Sequence, residues 1–185
     1  MQVFEKPGKE NTDETCRIAV ERAKAMGAPL VVCTNSGATG VRLCEIAKEN
    51  NYSGKIVIVT HAYGSQKPGE TAVKPELRQA MEAFGVTLVT AAHTLSGVER
   101  AMSRTFRGVY PAEIIAYTLR MLSQGVKVVV EIGSMALDNG AIPYGVPIVC
   151  LGGTGIGVDT AVVMTPEHAN RIFETRIHEI LCKPY

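Results

Sequence analysis

Two spacings of apolar residues alternate along the chain: runs of consecutive Val, Ile and Leu, and stretches where they recur every three or four positions. The first pattern marks strands covered on both faces and the second marks amphipathic helices. Residues 12–26 carry Cys16, Ala19, Val20, Ala23 and Met26 at helical spacing, and Gly27 ends that helix before an apolar strand over 29–34. After the turn Asn35-Ser36-Gly37, residues 38–50 place Leu43, Ile46 and Ala47 on one helical face, and a second strand follows over 55–60. A loop over 61–73, of a length that is usually functional or mobile, leads to a helix over 75–84 and a third strand over 86–90. Ser96 and Glu99 make a capping-box pattern for a helix to about 106, and Pro111 opens another to about 123. The β-branched run 126–132 reads as a fourth strand, 135–139 as a short polar helix, 147–151 as a fifth strand and 160–164 as a sixth. Thr165-Pro166-Glu167 starts a short helix, and the tail 175–183 reads as strand.

Such alternation with right-handed crossovers predicts a single α/β domain over 1–185, an open, mostly parallel sheet with helices on both faces. The length of 185 residues leaves no room for two large lobes.

Composition bears on partners more than on fold. Lys and Arg number 19 against 18 Asp and Glu, a net charge of +1, without the basic excess that phosphate-backbone binders use. Six Tyr, four Phe and no Trp offer few stacking platforms, so nucleic acid is not the expected partner. No apolar run approaches the roughly 20 residues of a membrane span, and the first residues lack a signal peptide's apolar stretch. The expectation is a cytoplasmic protein with no membrane partner. The five cysteines are odd in number and lack a C-x-x-C pair, which suggests neither a disulfide framework nor a zinc site; Cys33 and Cys150 read as buried hydrophobes. Met81, Met121 and Met164 read as core filling, and His168 and His178 as surface or capping residues without convergent partners.

Ligands of such sheets bind at the carboxyl ends of the strands, near the point where strand order reverses. The residues just after the proposed strands are accordingly the candidate site. Thr34, Asn35, Ser36, Gly37, Ala38 and Thr39 stand between a strand and a helix, where free N–H groups and the helix dipole make an anion seat, glycine lets the backbone approach, and hydroxyls add donors. The Lys of a Walker A loop is missing. His61, His93, Thr94 and Glu131 follow the next strands and read as the polar wall of a pocket, because they come from separate strands without the short spacing of metal ligands. Gly153, Thr154 and Gly155 superficially resemble a dinucleotide fingerprint, but the run after Asp159 reads as strand where that motif needs a helix. Lys67 is placed to fold over a phosphate or merely to solubilise its loop, and Arg100, Arg104 and Arg107 share a helical face that reads first as solvated.

The run Val31-Val32-Cys33-Thr34-Asn35-Ser36-Gly37-Ala38-Thr39 resembles the strand, Thr-x-Ser-Gly-x-Thr loop and helix of the pyruvate kinase C-terminal domain. Four further segments are similar to the stand-alone, mostly archaeal, pyruvate kinase alpha/beta-domain-like proteins. They are Gly97-Val98-Glu99-Arg100, Tyr110-Pro111-Ala112-Glu113-Ile114-Ile115-Ala116, Gly125-Val126-Lys127-Val128, and Gly152-Gly153-Thr154-Gly155 through Asp159-Thr160-Ala161. The resemblance spans nearly the whole chain. It implies a pyruvate kinase C-terminal domain-like fold, packing into a homo-oligomer, and a phosphate seat at residues 34–39, where some pyruvate kinases hold a sugar-bisphosphate activator. It also implies flavin mononucleotide (FMN) as the ligand, since proteins of this type look like FMN binders. Pyruvate kinase activity is not expected, because that active site lies in a separate (β/α)8 barrel of about 250 residues. The leading expectation is a domain that binds a phosphorylated small molecule, FMN first and a phosphosugar second. The alternatives are an enzyme acting on a phosphorylated metabolite, a flavin-dependent oxidoreductase, and a structural assembly subunit.

Overall fold

The computed structural model describes residues 1–185. Its strands are β1 (Gln2–Phe4), β2 (Leu30–Thr34), β3 (Ile56–His61), β4 (Thr87–Ala91), β5 (Ile148–Gly152), β6 (Thr160–Thr165) and β7 (Arg176–Pro184). The helices are α1 (Thr12–Met26), α2 (Ala38–Glu49), α3 (Pro75–Ala83), α4 (Gly97–Phe106), α5 (Pro111–Arg120) and α6 (Gln124–Asp138). All strands form one sheet in the order β1-β7-β6-β5-β2-β3-β4. The block β5-β2-β3-β4 is parallel, β6 runs antiparallel to both its neighbours, and β1 pairs parallel with β7.

Alternation within each strand sends side chains to two cores. Leu30, Val32, Ile58, Val149 and Leu151 pack against Ala19, Val20 and Ala23 of α1, Leu43 and Ile46 of α2, and Met81 of α3. Val31, Val57, Val59, Ile148 and Cys150 face the other way, onto Val126, Val129, Ile132 and Ala136 of α6. Gly27 closes α1 in the left-handed region, with φ 63.

One expected element is wrong in kind. Residues 126–132 are not a fourth strand but the middle of α6, which also absorbs the expected short helix at 135–139. A helix lying flat under a sheet is apolar nearly all round, and over a short window it cannot be told from a buried strand. Twelve of the fifteen residues of α6 are buried. Two signals favoured helix: Ser123, whose hydroxyl caps the N–H of Val126 at 3.0 Å, and Lys127 with Glu131 one helical turn on. In a strand those two residues would stand about 13 Å apart, at about 3.3 Å per residue.

Smaller corrections follow. The helix expected from Thr165-Pro166-Glu167 starts later, as a 3-10 segment over Ala169–Glu174, and β1 had no sequence signal. α4 begins as expected, but Ser96 makes no capping bond, and Glu99 instead accepts the N–H of Ala112 at 3.1 Å, tying α4 to α5. Met81 and Met164 are core, whereas Met121 is 83% exposed. His168 and His178 do have partners: His168 Nδ1 meets Asp138 at 2.7 Å, and His178 Nε2 meets the Thr165 hydroxyl at 2.8 Å. No helix is long and apolar enough to cross a membrane.

Candidate functional site

The ends of β5, β2, β3 and β4 lie side by side, and strand order reverses between β5 and β2. Thr34 at the end of β2 is in register with Thr60, which is in register with Thr90. A row of hydroxyls thus runs beneath the edge. Thr60 and Thr90 share a 2.7 Å hydrogen bond, and Thr34 Oγ1 accepts the N–H of Gly37 at 3.1 Å.

Directly beyond this row α2 begins, uncapped. Gly37 at its N-cap has no side chain to offer, and no acidic residue occupies its first turn. The N–H of Ala38 reaches Ser36 Oγ only at 3.5 Å, and those of Thr39 and Gly40 have no acceptor within the protein. Ser36 and Thr39 flank these donors half-buried, and Asn35 and Ala38 are exposed. Unpaired donors at the positive end of a helix form a seat for an anion.

Gly37 itself serves a purpose other than the one expected. Its φ is 106, and a Cβ placed there would lie 2.8 Å from the Cβ of Leu77 on α3, so the missing side chain makes room for α3 rather than for a ligand. The loop over 61–73 packs beside this site. Lys74 donates its N–H to Ser36 O at 3.0 Å, and the Gln66 amide reaches Asn35 Oδ1 at 3.3 Å. Lys67 does not fold over the start of α2; exposed, it lies 3.7 Å from Glu70.

The glycine-rich segment is a connection between the antiparallel strands β5 and β6, so strand and not helix follows it. Asp159, which the sequence reading passed over, organises it. This carboxylate is fully buried and accepts the N–H groups of Gly8 at 3.1 Å and Thr154 at 3.2 Å, and the Thr160 hydroxyl at 2.9 Å. An acid set between a glycine run and an apolar strand was the available signal, because a buried carboxylate there must find backbone donors. Gly153 is enclosed by its own loop, a Cβ there falling 2.5 Å from Gly157 O, whereas a Cβ at Gly155 meets nothing within 4 Å. Gly155 is therefore the open part of this segment, the N–H of Thr154 being held by Asp159.

His61 ends β3 and His93 lies two residues past β4; their rings approach to 4.5 Å between centroids, tilted by 37°. Glu131 joins them from α6, not from a strand end. Its Oε2 lies 3.5 Å from His93 Nδ1 and is bonded directly to Lys127 Nζ, while Oε1 accepts the N–H of Leu95 at 2.9 Å. Half-buried Thr94 sits between His93 and Leu95 in the chain. Burial pushes the Glu131 pKa up, but His93 and Lys127 outweigh burial and hold it at about 2. Burial, followed by the neighbouring His93, holds His61 below its ordinary 6.5. Both oxygens of Glu131 are engaged, so its role here is to orient His93. The pairing of Lys127 with Glu131 has no counterpart in the sequence reading, because a strand over 126–132 holds those two residues apart.

Thiol chemistry has little footing. All five cysteines are free, and burial pushes Cys16 and Cys33 up to about 12 and Cys150 well above its ordinary value. Three of the clefts in the surface, of about 270, 510 and 250 Å³, are lined by residues other than 34–39.

Among solved structures, a hydrogen sulfide-producing enzyme from Fusobacterium nucleatum matches at a TM-score of 0.30 and 17% identity, over 70% of this chain and 42% of that one. O-acetyl serine sulfhydrylase isoform 3 from Entamoeba histolytica matches at 0.30 and 17%, over 75% of this chain and 47% of that one. This chain spans under half the length of either protein. The family model of the pyruvate kinase alpha/beta domain matches residues 13–164, from the first helix through the uncapped start of α2, the histidine pair, α6 and the glycine-rich segment. By that match over most of its length, the chain belongs to the pyruvate kinase alpha/beta domain family.

Proposed function

We propose that the protein binds a phosphorylated small molecule, FMN, along the carboxyl edge of its sheet. The observation that carries this reading is the uncapped start of α2, where the N–H groups of Thr39 and Gly40 have no acceptor. A phosphate there accepts both N–H groups and the hydroxyls of Ser36 and Thr39, and charge-assisted bonds of this kind contribute about 1.5–3 kcal/mol each. The ring system extends along the edge toward His93, Thr154 and the open backbone of Gly155. A single phosphate seat suits a mononucleotide, since no helix follows the glycine-rich segment to hold a second phosphate. With no Trp in the chain, stacking is modest and micromolar affinity is expected.

Protein stripped of ligand should quench FMN fluorescence on titration, and riboflavin, lacking the phosphate, should bind about tenfold or more weakly, a difference of about 1.4 kcal/mol or more. Absence of quenching would move the reading to a phosphosugar, which needs the same seat but no flat surface.

The same reading has the protein acting as a homo-oligomer. α4 buries none of its residues, and Val98, Phe106, Val109, Ile114, Tyr117 and Met121 are each more than half exposed on α4, α5 and the turns after them. Apolar exposure concentrated in this way is typical of association surfaces, and symmetric self-association is the usual outcome. Light scattering at tens of micromolar should show a dimer or larger species that Phe106→Glu shifts toward monomer. A wild-type monomer at that concentration would refute self-association.

A further inference from the structure

Three helices meet around a cleft of about 270 Å³ that lies apart from the start of α2. α4 contributes Arg100 and Arg104, α5 contributes Arg120, and α6 contributes Lys127; the one carboxylate in the lining is Glu113. Five of the ten arginines pair with a carboxylate, and Arg100 and Arg104 are among the five that do not, their guanidinium groups making no hydrogen bond in the protein. Arg120 is held in place, donating Nε–H to Gln124 Oε1 at 2.7 Å and lying 4.8 Å over the Tyr117 ring. Lys127, its side chain 5% exposed, is fixed by Glu131. Glu113 is occupied in turn by the N–H of Tyr110 at 3.4 Å.

Lys127 is neutralised by Glu131, but Arg100, Arg104 and Arg120 repel one another around one small cleft, and the first two have no partner in the protein. A planar guanidinium with free donors matches the oxygens of phosphate or carboxylate in pairs. The volume falls below the roughly 300–1,000 Å³ of pockets for larger organic ligands, so the fitting occupant is compact. We infer that this cleft is a second anion site, taking a small, multiply charged oxyanion such as a low-molecular-weight phosphate ester or a polycarboxylate. The arginine stripe of α4 is then divided in its use: Arg100 and Arg104 face the cleft, and Arg107 lies beyond the helix end.

The test is calorimetric titration of the full chain at low salt with sodium diphosphate and, separately, with citrate. With the start of α2 closed by Thr39→Asp, at least one anion should still bind saturably at one site per chain. In that background Arg100→Gln and Arg104→Gln should each weaken it tenfold or more, while Arg78→Gln on α3 leaves it unchanged. The preferred anion identifies the class of occupant. Absence of saturable binding by either anion overturns the site, as does equal weakening by Arg78→Gln, which would mean diffuse charge attraction. Loss in Thr39→Asp with none in Arg104→Gln would place the anion at α2 and also overturn it.

Discussion

Glu131→Gln is expected to destabilise the fold by about 3–5 kcal/mol, the cost of leaving one member of a buried ion pair without its partner. The amide still accepts the N–H of Leu95, but Lys127 keeps its charge inside α6 with no carboxylate beside it, and His93 loses its anchor. For a domain of this size the melting temperature should fall by roughly 10 °C. Replacing the pair together by Lys127→Met and Glu131→Leu should restore much of the loss, because two matched apolar side chains leave no buried charge. A single variant within about 1 kcal/mol of wild type in urea denaturation would show that Lys127 relaxes freely into solvent. The same network sets the acid limit of stability. Glu131 titrates at about 2 in the folded protein against an ordinary 4.5, so its contribution is complete above about 4.5 and is lost as pH falls toward 2. His61, held below 6.5, adds a loss in the same direction at higher pH, because the unfolded chain takes up that proton first. Denaturation midpoints measured from pH 7 to pH 3 should decline in both windows, and Glu131→Gln should flatten only the lower one.

Thr39→Asp should move stability and ligand binding in opposite directions. The first turn of α2 holds no acidic residue, so a carboxylate there satisfies the helix start and adds about 0.3–1 kcal/mol of stability. The same carboxylate occupies the N–H groups that the proposed function gives to phosphate and repels it, and FMN should weaken by about 2–4 kcal/mol on the scale of the charge-assisted bonds lost. Riboflavin, without a phosphate, should be little affected. Gly37→Val is a poorer probe, since its side chain would collide with Leu77 and disturb α3 whatever the ligand does. Equal weakening of FMN and riboflavin in Thr39→Asp would place the phosphate elsewhere.

Strands β2, β3, β4, β5 and β6 were legible because consecutive branched apolar residues bounded by glycine, asparagine or proline leave few other readings. The ends of β2 and β3 could be named for the same reason, and with them Thr34, Ser36, Thr39 and His61. α6 was not legible by composition, since burial on nearly every side erased the polar face that identifies a helix, and with it went the correct origin of Glu131 and the pairing of Lys127 with it. Gly37 was read as room for a ligand where the packing puts Leu77, and Gly153 is enclosed by its own loop. A sequence shows that a side chain is missing, and only the packing shows whether a ligand, a helix or the loop itself fills the space. Asp159 was passed over because its partners, Gly8 and Thr154, become donors only when the β5–β6 connection folds back against the chain start.

The central claim concerns two backbone groups, the N–H of Thr39 and of Gly40, and amide NMR shifts report on each directly. Titration of the isotope-labelled protein with FMN should move both resonances strongly downfield, as charge-assisted hydrogen bonds to phosphate form. Riboflavin should shift residues along the edge near His93 and Gly155 while leaving those two amides in place. Binding of FMN that leaves Thr39 and Gly40 unmoved, or shifts of the same size with riboflavin, would contradict the assignment of the phosphate to the start of α2.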